Sequence, residues 1–204
     1  MVTKKILRGS QARGEATKSR ILQAVLDLVA EGGIHAVTYR SVAEAAGVAQ
    51  GVMTYHFATR RELLSAAFRL HHERIRESAI ELPGAAVSDL RLDAKAKLVF
   101  GFVKAMVVEE RPRYLAEFEI MLEIARDPEL RREVAPESDT MDRFAFELVS
   151  AAGSTSPAAD ALLLSAAIEG LVLEWMARQG DRPFERKVKS AVRRLVELFF
   201  PDRA

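Results

Sequence analysis

Apolar side chains along this chain recur three and four positions apart, and no alternating run is long enough to make a strand. Ile21, Val25, Leu28 and Val29, with Leu22 beside them, mark one face of a helix that Thr17 or a neighbour can cap and Gly32-Gly33 ends. Residues 1–16 before it show no sustained period and read as a flexible basic arm. Thr38 is expected to cap a helix from Tyr39 to Ala46 that buries Val42, Ala45 and Ala46. Gly47 then supplies the positive φ of a tight turn. The helix expected at Gln50 to Phe57 has only two turns, too few to be stable alone in water, so it must lean on its neighbours through Val52, Met53 and Phe57. Thr59-Arg60-Arg61-Glu62 fits the capping box, which starts a long helix at Arg60. That helix carries Leu64, Phe68, His71 and Ile75 on one stripe to about Glu81 and stops at Pro83-Gly84.

The rest of the pattern is helical as well. Leu92, Leu98, Phe102 and Met106 predict a helix from about Asp89 to Glu110, and Leu115, Phe118, Met121 and Leu122 another from about Pro112 to Arg126. Asp127-Pro128 and Ser156-Pro157 each set a capping residue before a proline at the first helical position. Pro136 is expected to interrupt the segment between them, leaving a second part around Met141 to Ala152. Helices over Ala158 to Gln179 and Phe184 to Phe200 complete an all-α chain of about nine helices.

Composition and charge narrow the function. With 204 residues, 49% of them hydrophobic, the chain can bury a sizeable core. Its net charge of +1 conceals an asymmetry: residues 1–60 hold eight Lys/Arg and four acids, whereas the remainder holds 22 basic and 25 acidic side chains. A basic head on a slightly acidic body points to an anionic partner at the head. The absence of cysteine excludes disulfides, thiolate metal sites and cysteine nucleophiles, and is compatible with a reducing cytosol. No apolar run approaches the ~18 residues of a membrane span, and no apolar signal-peptide core follows the basic start. A soluble cytoplasmic protein is expected. The four histidines, at 35, 56, 71 and 72, have no metal-ligand spacing, and neither a glycine-rich phosphate loop nor a nucleophile motif occurs. These absences argue against an enzyme and against a cofactor.

Two helices joined by a glycine turn and preceded by a third form a helix-turn-helix arrangement, whose second helix enters the DNA major groove. Gln50, Gly51, Thr54 and Tyr55 are the exposed candidates to meet the groove: Gln can bond adenine bidentately, Thr can meet a thymine methyl or a phosphate, and Gly51 lets the backbone come close. Tyr39, Arg40, His56 and Arg60 flank them as candidate phosphate contacts, and Thr38 is counted among the DNA-binding residues. Lys4, Lys5, Arg8 and Arg13 could extend along the backbone or into a neighbouring minor groove, or remain a solvated tail.

Residues 17–64 resemble the DNA-binding head of the TetR family of bacterial transcription regulators. The resemblance rests on Thr38, on Ala43-Glu44-Ala45-Ala46-Gly47-Val48-Ala49, and on Gly51-Val52-Met53-Thr54-Tyr55-His56-Phe57 running to Arg60 and Leu63. Ala49 stands where the family has Ser, Thr54 where it has a phosphate-touching Tyr, and Arg60 where it has Lys. The resemblance implies a head over 17–59 and a helical ligand-binding and dimerisation domain over 60–204. It also implies a homodimer on a double-stranded operator and a small-molecule effector. The last two helices are the dimer candidates, through Leu164, Ile168, Leu171, Trp175, Val188, Val192, Leu195 and Phe199; the first of the two is apolar nearly all round and needs partners on both sides. Effector candidates are the large soft side chains Phe68, Phe102, Met106, Phe118, Met121 and Phe144, with the polar intruders His71 and Glu119. The expected function is a repressor released by a hydrophobic or amphipathic ligand. The alternatives are a regulator controlled by a protein partner and an activator.

Overall fold

The computed structural model describes the backbone of residues 2–79, 90–178 and 181–201, with side chains there except at 2–13, 75–79 and 135–142. Among these residues lie α1 (Val2–Gly32), a 3-10 turn (Ile34–Ala36), α2 (Tyr39–Ala46), α3 (Gln50–His56) and α4 (Arg60–Ala79). Then come α5 (Leu92–Val108), α6 (Arg111–Arg126), α7 (Pro128–Ala151), α8 (Pro157–Ala177) and α9 (Arg182–Phe199), and no strand. The chain divides into two compact units, Met1–Glu73 with Pro112–Pro136, and Arg74–Arg111 with Glu137–Ala204. No helix among the described residues is long and apolar enough to cross a membrane.

The first unit is built on one apolar cluster. Ile21, Val25 and Val29 of α1, Val42 of α2, Met53 of α3 and Leu63, Ala67 and Phe68 of α4 meet there, joined by Ala116 and Ile120 of α6 and Leu130 and Val134 of α7. The turn chemistry follows the sequence closely. Gly47 takes the left-handed conformation, φ 62 and ψ 42, that ends α2. Thr38 caps α2, accepting from the Ser41 amide at 3.1 Å while the Thr38 amide donates to Ser41 Oγ at 2.9 Å. Thr59 Oγ1 accepts from the Glu62 amide, and Glu62 reaches back to the Ala58 amide at 2.8 Å, one residue short of the cap. Asp127 Oδ1 accepts from the amides of Glu129 and Leu130, so α7 does begin at Pro128.

Several expectations are corrected. The first helix begins at Val2 rather than near Thr17, because residues 2–16 are mostly good helix formers and extending an existing helix is far easier than nucleating one. The side chains of Lys4, Lys5, Arg8 and Arg13 lie outside the described residues, as does the stop expected at Pro83-Gly84. Pro136 does not interrupt α7, whose buried Leu130 and Val134 before it and Ala145 and Val149 after it anchor both ends. In α2 it is Ala43, not Ala45, that joins Val42 and Ala46 in the core. Ser156 precedes α8 without a side-chain capping bond; Ser154 Oγ instead accepts from the Ser156 amide and donates to Asp160 at 2.6 Å.

In the second unit Ala96 of α5, Ala145 and Val149 of α7, Ala161 and Leu164 of α8 and Val196 of α9 share a core closed by Phe200. The ring of Trp175 stacks on Phe100 with centroids 5.8 Å apart. Lys95 is buried, and its ammonium donates to the carbonyls of Phe200 at 3.2 Å and Pro201 at 3.5 Å. A positive charge there satisfies acceptors just beyond the C-terminal end of α9, where the helix dipole favours it.

Candidate nucleic-acid interface

The short helix α3 is held by one side only. Met53 is completely buried and Phe57 almost so, and these two side chains fix the rotation of the helix about its axis. The opposite face carries Gln50, Gly51, Thr54 and Tyr55, all exposed, with Tyr55 at 84%. Ala49 has the extended backbone of an N-cap, φ −68 and ψ 146, but no side chain to use it. Thr54 Oγ1 donates back to the Gly51 carbonyl at 3.1 Å, so the hydroxyl lies along the helix. A Cβ added at Gly51 would meet nothing within 4 Å. Nothing inside the protein therefore calls for glycine at this point.

The flanking residues separate into two groups. Arg40 is exposed on the first turn of α2, and His56 is half-buried with its ring edge-on to Tyr55, centroids 5.2 Å apart. Thr38, Tyr39 and Arg60 also make hydrogen bonds within the head. Thr38 is occupied by its capping box. The Tyr39 hydroxyl donates to the Phe57 carbonyl at 3.0 Å; its pKa is raised by burial and by the nearby Glu62 charge. Arg60 keeps 44% of its side chain exposed while its guanidinium meets the turn: Nη2 donates to the Ile34 carbonyl at 2.9 Å, Nε to the Val37 carbonyl at 3.2 Å, and Nη1 stands 3.9 Å from Glu123. Charge suggests a phosphate contact for Arg60; its bonds to two carbonyls of a turn 23 and 26 positions earlier are not visible in the sequence. Ser41 was missed altogether. Its Oγ donates to the Ala36 carbonyl at 2.6 Å, and the only signal was a hydroxyl three residues after Thr38.

The expected effector residues fall in both units. Phe68 and His71 are buried in the first unit, Phe118 is half-buried and Met121 exposed there. Glu119 Oε2 accepts from the Ile34 amide at 3.2 Å. His71 Nε2 lies against the Glu117 carboxylate, with His72 Nε2 3.5 Å from the same group. Burial would raise the Glu117 pKa, but hydrogen bonds and charge from His71 and His72 together outweigh it and hold the group at about 2. An open groove of about 230 Å³ lies between α1 and α4, with Glu15, Lys18, Arg69 and Glu73 in its lining, and it includes none of the expected effector residues. In the second unit Met106 is buried and Phe102 and Phe144 are half-buried. Among the described residues no group of three or more His, Cys, Asp or Glu could hold a metal ion.

Of the expected dimer residues, Leu164, Trp175, Val188 and Val192 are buried in the core of their own unit, and Ile168, Leu171, Leu195 and Phe199 are half-buried. The exposed apolar side chains of the last two helices are Leu162, Leu163 and Leu173 on α8 and Leu198 on α9.

A family model described as "Bacterial regulatory proteins, tetR family" matches residues 21–72. A second, "Tetracyclin repressor-like, C-terminal domain", matches residues 90–198, more than half of the chain. The HTH-type transcriptional regulator CymR of Pseudomonas putida is 30% identical over 192 residues, covering 88% of this chain and 89% of that protein. The HTH-type transcriptional regulator AcrR of Shigella flexneri is 25% identical over 207 residues, covering 94% and 93%. Among solved structures, the multidrug binding protein EbrR complexed with ethidium is 28% identical with a TM-score of 0.66, covering 88% of this chain and 98% of that one.

Proposed function

The chain belongs to the TetR family of bacterial transcriptional regulators, which bind DNA, and on that premise we propose that it is a homodimeric repressor released from its operator by a small hydrophobic or amphipathic ligand. In this reading residues 17–59 read the operator and residues 60–204 serve effector binding and dimerisation. The observation that carries the DNA contact is the outer face of α3, where Gln50, Gly51, Thr54 and Tyr55 stand exposed on a helix locked in rotation by Met53 and Phe57. Gln50 and Tyr55 are assigned base or sugar contacts, and Arg40 and His56 phosphate contacts. Thr38, Tyr39 and Arg60 contribute by holding α2 and α3 in place.

A homodimer is supported by Leu162, Leu163 and Leu173, three large apolar side chains that α8 leaves in water. Effector release is supported by the ethidium complex of the similar EbrR. Phe102, Met106 and Phe144 of the second unit are the assigned effector contacts.

Selecting DNA from a random pool with the purified protein supplies the operator for the test. The double variant Gln50→Ala, Tyr55→Ala should lose specific binding to that sequence while keeping its helix content. Retained specific binding would remove α3 from the interface. A thermal-shift screen of apolar and cationic compounds tests the release: an effector should both raise the melting temperature and free the DNA. A screen in which no compound does both favours control by a protein partner.

A further inference from the structure

The corner that joins α1 to α2 is held by side chains from far along the chain. It spans Gly33 to Val37 around a single 3-10 turn, an element too short to be cooperative by itself. Gly33 has φ +71, which favours glycine, and a Cβ there would stand 3.2 Å from Glu119 Oε2. The same Glu119 oxygen accepts from the Ile34 amide at 3.2 Å. The carbonyls of Ile34 and Val37 accept from Arg60, that of Ala36 from Ser41, and Arg60 is in turn 3.9 Å from Glu123, one helical turn beyond Glu119 on α6. Of these partners, Glu119 alone meets an amide of the corner from outside the helix-turn-helix head.

We propose that Glu119 is a positioning residue for operator recognition: by accepting the Ile34 amide it selects one conformation of the corner and so sets the direction in which α2 leaves it. The consequence passes to the reading helix through the Tyr39 hydroxyl on the Phe57 carbonyl, which ties α2 to the end of α3. Glu119 itself does not touch DNA in this account. Without its carboxylate the Ile34 amide, part-buried, loses its acceptor, and a short turn with an unsatisfied donor shifts to conformations that expose it. Specific readout depends on side chains meeting base edges in one register, whereas non-specific binding depends mainly on charge near phosphates. The two should therefore separate. The inference rests on α2 and α3 forming the DNA-contacting surface proposed above.

The test compares Glu119→Ala with Glu119→Gln, whose amide oxygen can still accept. For Glu119→Ala, exchange of the Ile34 amide should accelerate by about tenfold or more, and operator affinity should fall by a similar factor. Affinity for an unrelated duplex should stay within about twofold, as phosphate contacts are unchanged. Glu119→Gln should keep Ile34 protected and retain most of the operator affinity. If Glu119→Ala does not fold, Glu119→Asp, which draws the carboxylate back by one methylene, should give the same split between operator and unrelated DNA. Operator affinity that survives loss of Ile34 protection, an equal loss on both DNAs, or a glutamine variant as damaged as the alanine one would each overturn the proposal. Gln50→Ala, Tyr55→Ala run in parallel tells the two failures apart. If that pair still binds specifically, the DNA surface itself is misplaced; if it does not while Glu119→Ala does, only the positioning role falls.

Discussion

Tyr39 and Phe57 are joined by a hydrogen bond of 3.0 Å, hydroxyl to carbonyl, across the two helices of the head. The acceptor is the residue that ends α3, so this bond sets how far α3 can swing away from α2. Tyr39→Phe keeps the ring and removes only the donor. It should cost about 1 kcal/mol of stability, the usual net value of one such bond. Thermal unfolding alongside operator titration checks this, and operator binding should weaken with it; an unchanged melting temperature would show that the bond contributes nothing.

Gly51→Ala should separate folding from recognition. The new methyl group meets nothing in the protein, and replacing a helical glycine by alanine gains up to about 1 kcal/mol. The variant should therefore be as stable as the parent or more so, yet bind the operator less tightly because the added Cβ stands where the DNA approaches. A stable variant with full operator affinity would show that the backbone at Gly51 does not come close to DNA.

Ala49→Ser should restore a missing cap. The backbone at Ala49 already has N-cap geometry, and a serine oxygen there can accept from an amide in the first turn of α3. The expected gain is about 1 kcal/mol, read as a higher denaturant midpoint. No gain would mean that the first turn of α3 satisfies its amides in another way.

Acid should weaken the first unit through Glu117. Its carboxyl is held at about 2 in the folded chain against an ordinary 4.5. A depressed folded pKa gives stability that is fully present above about 4.5 and is lost as pH falls toward 2, on the order of a few kcal/mol. Glu117→Gln should be less stable than the parent near neutral pH and show a shallower loss between pH 4.5 and 2. Parallel stability curves for the two proteins over that interval would refute the coupling.

Leu163→Glu, Leu173→Glu places two charges on the outer face of α8, where both leucines are exposed in the single chain. Folding of the protomer should be little affected, while a dimer that buries this face should dissociate. Sedimentation should then report the monomer mass of 22.6 kDa in place of twice that value. A variant that stays dimeric would move the interface elsewhere.

Much of the head is legible without coordinates because its signals are local. A capping threonine at 38, a glycine at 47 and the box from Thr59 to Glu62 act within four residues of themselves, so spacing is enough to find them. The same holds for α9, where Val188, Val192 and Val196 recur every four residues against a charged opposite face, and all three are buried. Locality also explains a failure. Pro136 is a strong local signal for a break, yet α7 continues through it because buried residues on either side anchor the helix.

What the chain determines by itself is therefore which segments are helical, where most of them are capped, and which face of an amphipathic helix is buried. Only the tertiary structure decides how the rest is used. On α8 leucines occupy every side, so periodicity could not say that Leu164 faces inward and Leu162, Leu163 and Leu173 face outward. The sequence suggests phosphate as the partner of Arg60 and a ligand as that of Glu119, a polar residue among apolar ones. The fold turns both toward one five-residue corner, where the backbone groups of Ile34 and Val37 meet partners from elsewhere in the chain. Such pairings join residues up to 85 positions apart, and they depend on the unmet polar groups of a turn that only the folded chain creates.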